Sequence, residues 1–103
     1  MRFGLKESTI EKIREVLSHY PQVQKAILYG SRAKGNYKNG SDIDLTLCGD
    51  ELTLELQHKI DEELDDLLLP YMFDLSILSN IKDADLLDHI KRVGQVFYER
   101  RKT

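Results

Sequence analysis

A chain of 103 residues with a hydrophobic share of 41% and two prolines has the make-up of an ordinary globular protein, so one domain over residues 1–103 with a thin core is expected. Its apolar runs fall far short of the roughly 20 residues of a membrane span, and the start "MRFGLKESTIEKI" lacks the apolar segment of a signal peptide, so a cytoplasmic protein with no membrane partner is expected. The net charge of −3 argues against direct nucleic-acid binding, and Cys48, the single cysteine, excludes an internal disulfide, a thiolate metal cluster and a redox pair.

Ser8 with Glu11 reads as a capping box, and Ile10, Ile13, Leu17 and Tyr20 recur at helical spacing, which predicts a first helix closed by Pro21. "VQKAILY" follows as a short, largely buried strand that stops at Gly30. From Ser41 the pattern alternates, with Ile43, Leu45 and Leu47 on one face and Asp42, Asp44 and Thr46 on the other, and Cys48 at its end is expected to pack as a small hydrophobe. Thr53 can cap a second helix carrying a Leu56, Ile60, Leu64 and Leu67 stripe, with acidic residues opposite. After Pro70, "YMFDLSIL" reads as a third strand in which Asp74 shares a face with Met72 and Ser76. A third helix is expected over 83–92 with Leu86, Leu87 and Ile90 inward and Gly94 at its end, and "QVFYER" as a closing strand. This order predicts an α+β fold, a small mixed β-sheet with helices mainly on one face. His19, His58 and His89 are scattered over the helices and are expected to be structural, and the tyrosines to serve core and rim.

Asp42 and Asp44 leave the same face of a strand with Cα atoms about 6.6 Å apart, and at that range two unpaired anions repel by roughly 1–4 kcal/mol depending on the local dielectric. Asp74 matches them on another strand. Surface aspartates on a half-exposed strand are the plainer alternative; a divalent cation gives the arrangement a physical purpose. Carboxylate-only ligation favours Mg²⁺ or Mn²⁺, ions that take their remaining ligands from water and substrate phosphates.

Between the first two strands, Gly30 and Gly35 let the backbone approach a ligand closely, and "SRAKG" can form a helical turn whose first N–H groups face an anion. Ser31 offers a hydroxyl and an amide there, and Arg32, Lys34 or Lys38 can offset the charge of a polyphosphate. A P-loop is excluded, because Asn36 and Tyr37 stand where Lys and Ser or Thr are required, and a calcium loop is excluded by Leu47 at the position demanding glycine.

Gly30-Ser31, ten residues, Asp42-Ile43-Asp44 and a later strand Asp74 together resemble the nucleotidyltransferase superfamily that includes DNA polymerase β, and in particular its minimal, stand-alone members of the MntA antitoxin type. The resemblance extends over nearly the whole chain. It implies a polymerase β-like fold in which Gly30 and Ser31 hold a nucleoside triphosphate; from the charge of the loop, Arg32 and Lys34 are expected to bind it with them. It further implies that Asp42, Asp44 and Asp74 are the catalytic and metal residues around two Mg²⁺ ions, with Mn²⁺ as a substitute.

Because the chain ends soon after its third helix, the acceptor is expected on a partner. Relatives of this kind are commonly antitoxins paired with a HEPN-domain ribonuclease toxin, and they move AMP from ATP to a tyrosine of that toxin, so a hetero-oligomer is expected. Two alternatives stand beside this reading: a non-catalytic protein that inhibits its partner by masking it, and a transferase acting on a small hydroxylated molecule.

Overall fold

The structure is a computed structural model that describes residues 1–101. Its elements in chain order are helix α1 (Glu7–Ser18), strand β1 (Lys25–Tyr29), a single helical turn α2 (Ser31–Lys34), β2 (Ile43–Cys48), α3 (Leu54–Asp65), β3 (Phe73–Ile77), α4 (Ala84–Val93) and β4 (Gln95–Glu99). A short 3-10 turn, Leu78–Asn80, joins β3 to the segment before α4.

The four strands form one mixed sheet in the order β3-β2-β1-β4. β1 runs antiparallel to both β2 and β4, while β2 and β3 are parallel, with α3 as their crossover connection. Register follows from the alternation of the strands: Leu28 pairs with Leu45 and Ala26 with Leu47, and all four are buried on one face with α1 and α3. Tyr29 opposite Asp44 and Ile27 opposite Thr46 therefore point to the other face. α4 lies on that second face, where its Ile90 is buried and its terminal Gly94 packs against Ile27. Two of the three long helices thus share a face, and the third covers part of the reverse side.

Local chemistry accounts for most element ends, with one departure from the sequence reading. Thr53 Oγ1 accepts the Leu56 N–H at 3.1 Å and Asp83 caps α4, as such residues do at helix starts. Ser8 does not cap α1. The helix begins at Glu7 behind an extended Lys6 with no side-chain capping bond, because Arg2 and Leu5 close a tight turn that buries Leu5 completely just before the helix. Gly94 ends α4 in an extended conformation, not the left-handed one. Glycine is required there by close packing, since a Cβ would lie 2.3 Å from the Ile90 carbonyl oxygen and 2.8 Å from Ile27 Cγ2. Leu87, expected inward on α4, is 36% exposed, and Ile90 carries the burial in its place.

The outer edge of β4 is partly closed. Arg14 of α1 donates from Nε to the Phe97 carbonyl at 2.8 Å and lies over the Phe97 ring, which occupies an acceptor that an open sheet edge would otherwise offer. No helix among the described residues is long and apolar enough to cross a membrane.

Candidate active site

The sheet brings the acidic residues together by register. Asp44 of β2 is the direct partner of Asp74 on parallel β3, so both side chains leave the same face of adjacent strands, about 4.8 Å apart in the pairing direction. Asp42 lies just before β2 and is exposed, as is Asp74, whereas Asp44 is half-buried. Burial, then the charge of Asp74, then that of Asp42 push the Asp44 carboxyl up to about 6. The Tyr29 phenol, cross-strand neighbour of Asp44, is pushed up chiefly by burial and further by Asp74 and Asp44, with the nearby Ser76 acting in the opposite sense.

The glycine-bounded loop borders these carboxylates. Gly30 takes φ 77° and ψ −157°, a region open essentially to glycine alone. A Cβ there would meet Asp44 Oδ2 at 2.1 Å, so the absent side chain is what allows this backbone to pass against the carboxylate. Ser31 then opens α2, the Lys34 N–H donates to the Gly30 carbonyl at 3.0 Å, and Gly35 closes the turn in the left-handed region. Ser31 is half-buried and Lys34 exposed.

Arg32, expected beside the phosphates, has a different place. It is 3% exposed and spends its donors within the protein, Nε and Nη2 on the Ser41 carbonyl at 3.0 and 2.9 Å and Nη1 on the Phe3 carbonyl at 2.8 Å. The guanidinium also lies over the Tyr71 and Tyr37 rings, 4.8 and 5.4 Å from their centroids. It ties α2 to the N-terminal turn and to the residue before Asp42. Of the expected basic residues, Lys34 and Lys38 remain at the surface of the loop.

His89 is a neighbour that sequence reasoning missed. The Gly30 N–H donates to His89 Nε2 at 3.1 Å, and the imidazole stands edge-on to Tyr29. No sequence spacing signals a contact between residues so far apart in the chain.

Among the described residues no three His, Cys, Asp or Glu side chains close into a metal cage. The carboxylates instead form an open, mutually repelling shelf of hard oxygen donors beside a glycine cradle. That arrangement fits an ion such as Mg²⁺, which binds through one or two carboxylates and completes its shell with water and substrate phosphates.

Residues 11–103 match the family described as polymerase beta, nucleotidyltransferase. The chain belongs to that family. As a polymerase beta nucleotidyltransferase it is an enzyme of nucleotidyl transfer, with the α+β fold expected of the class. No curated protein matches the chain significantly. Among solved structures it is similar to a chain from a toxin–antitoxin complex with AMP-PNP, at 23% identity and a TM-score of 0.71 over 89% of this chain and 74% of the other. It is also similar to a chain from the complex of a tri-AMPylated Shewanella oneidensis HEPN toxin with its MNT antitoxin, at 20% identity and a TM-score of 0.68 over 93% and 74% of the two chains. A third likeness, to a chain of the MntA–HepT toxin–antitoxin complex, has 21% identity and a TM-score of 0.68 over 92% and 74%. At these identities the likeness is one of fold.

Proposed function

We propose that this nucleotidyltransferase moves AMP from ATP to a hydroxyl of a partner protein, a tyrosine of a HEPN-type ribonuclease toxin, and so acts as the toxin's antitoxin. The observation that carries the transferase chemistry is Asp44 in register with Asp74 while Gly30 passes directly against Asp44. The partner reading is supported by similar folds among solved structures, which include chains from toxin–antitoxin complexes, one with AMP-PNP and one with an AMPylated HEPN toxin.

In the reaction the acceptor oxygen attacks the α-phosphorus of ATP, the bond from that phosphorus to the α,β-bridging oxygen breaks, and pyrophosphate leaves. Gly30 brings the backbone against Asp44 so that Ser31 holds the triphosphate there, and Lys34, exposed at the end of α2, offsets part of its charge. Asp42, Asp44 and Asp74 would hold two Mg²⁺ ions, whose charge supplies neutralisation of the phosphates and a lowered pKa for the acceptor hydroxyl. Asp74, exposed at the rim of the shelf, faces the incoming hydroxyl and guides its proton towards solvent. Asp44, half-buried between its neighbours, fixes the geometry at the centre.

The test is transfer of label from α-³²P-ATP to a co-purified HEPN partner by wild type and by Asp44→Asn. The substitution is expected to remove labelling while leaving the circular dichroism spectrum unchanged. Equal labelling by the two proteins defeats the proposal, and toxin neutralisation that survives without any labelling favours masking.

A further inference from the structure

We infer that His89 is a positioning residue of the nucleotide cradle, holding the Tyr29–Gly30 peptide so that Gly30 and Ser31 keep their place against Asp44; the inference rests on the transferase reading above. Gly30 must lack a side chain, because any Cβ would collide with Asp44 Oδ2. That requirement puts the freest residue type at the most demanding point of the site, in a backbone region that costs entropy to hold. Both of its polar backbone groups are pinned from outside β1. Its carbonyl accepts the Lys34 N–H at 3.0 Å, and its N–H donates to His89 Nε2 at 3.1 Å.

His89 reaches this point because α4 is anchored beside it. Ile90, the next residue, is the buried member of the helix, and the T-shaped contact of the imidazole with Tyr29, at 80° between planes, sets the ring's orientation. An imidazole accepting at Nε2 carries its ring proton on Nδ1, so the bond specifies one neutral tautomer. The Gly30 N–H is thereby spent inside the protein and is unavailable to a phosphate. In this role His89 acts through the backbone it holds and needs no contact with substrate or metal.

Loss of such a bond frees the peptide in the unliganded protein, and binding must then re-order it. That cost falls on affinity and leaves the bound complex, once formed, close to normal. The experiment compares the full chain with His89→Phe, which keeps a ring beside Tyr29 but has no acceptor, and with His89→Gln, whose Oε1 can accept where Nε2 does. Mg-ATP affinity is read by calorimetry, transfer by steady-state kinetics, and the Gly30 amide by hydrogen exchange in NMR.

The expected result for His89→Phe is a Kd and KM for Mg-ATP raised about tenfold with kcat within about threefold, a faster-exchanging Gly30 amide, and recovery in His89→Gln. An unchanged Kd in a folded His89→Phe overturns the inference, as does a loss that glutamine fails to restore. Should His89→Phe not fold, wild type decides: a Gly30 amide exchanging as fast as an open loop overturns it, and a protected one supports it. A wild-type chain that binds no Mg-ATP sinks the transferase reading instead, and the Gly30 exchange still reads the His89 bond.

Discussion

Asp44 and Asp74 stand opposite one another across the parallel β2–β3 pair, and the protein carries this anionic contact as a cost in the absence of a cation. Burial and then the Asp74 charge hold the Asp44 carboxyl at about 6, against 3.8 for the free side chain. Between those two values the folded protein binds more protons than the unfolded chain, so the Asp44 contribution to stability falls as pH rises through that window and stays unfavourable above it. Without divalent cations, Asp44→Asn is expected to be the more stable protein at pH 7 by about 1 kcal/mol, or roughly 4–8 °C in Tm, and to show a flatter Tm profile from pH 4 to 6. Mg²⁺ at pH 7 should raise the Tm of wild type and spare the variant; an equal rise in both would show that the ion binds elsewhere.

Gly30→Ala tests the cradle from the other side. Its Cβ would meet Asp44 Oδ2 at 2.1 Å in a backbone region that L-residues avoid, so a loss of about 1–3 kcal/mol in stability and of at least about 100-fold in transfer is expected. Gly35→Ala is the matched control, since Gly35 also has positive φ but a Cβ there meets nothing within 4 Å. It should cost about 1 kcal/mol and leave nucleotide affinity unchanged, which denaturant titration and calorimetry on the two variants would establish.

Arg32 divides stability from binding. Its three hydrogen bonds to the Ser41 and Phe3 carbonyls and its seat between Tyr37 and Tyr71 predict that Arg32→Lys, lacking the planar fork, loses roughly 2–3 kcal/mol. Lys34→Ala, at an exposed position, is expected to leave Tm unchanged and to weaken Mg-ATP binding by about three- to fivefold. A folded Arg32→Lys of wild-type stability with reduced ATP affinity would return Arg32 to the phosphates.

What the sequence made legible was whatever local chemistry governs. Alternation placed Leu45 and Leu47 in the core and Asp44 on the reverse face, the same pattern around Asp74 put the two aspartates on matching faces, and Thr53 announced its helix. Long-range packing decided the rest. Ser8 loses its capping role because burying Leu5 starts α1 earlier, and Arg32 looked like a phosphate ligand because nothing local reveals that Phe3, Ser41, Tyr37 and Tyr71 converge on it. His89 was unreadable for the same reason, its partner Gly30 lying 59 positions away. Gly94 was recognised as a stop, but the cause is the closeness of Ile27 and the Ile90 carbonyl.

Leu68 carries strain that the site does not use. It follows α3 at φ 54° with its N–H bonded to the Asp65 carbonyl at 3.0 Å, a left-handed helix end normally given to glycine, and its side chain is 88% exposed. Leucine there pays the left-handed penalty and gains no burial in return. Leu68→Gly should therefore stabilise the protein by roughly 0.5–1 kcal/mol, the relief of roughly 1–2 kcal/mol of strain being partly offset by the greater freedom of glycine in the unfolded chain. Chemical denaturation would read this as a higher midpoint at unchanged m-value, with Mg-ATP affinity unaltered. A lower midpoint would mean that the leucine makes contacts in solution that justify its conformation, and the exposed Leu68 and Met72 would then become a surface to probe with the partner protein.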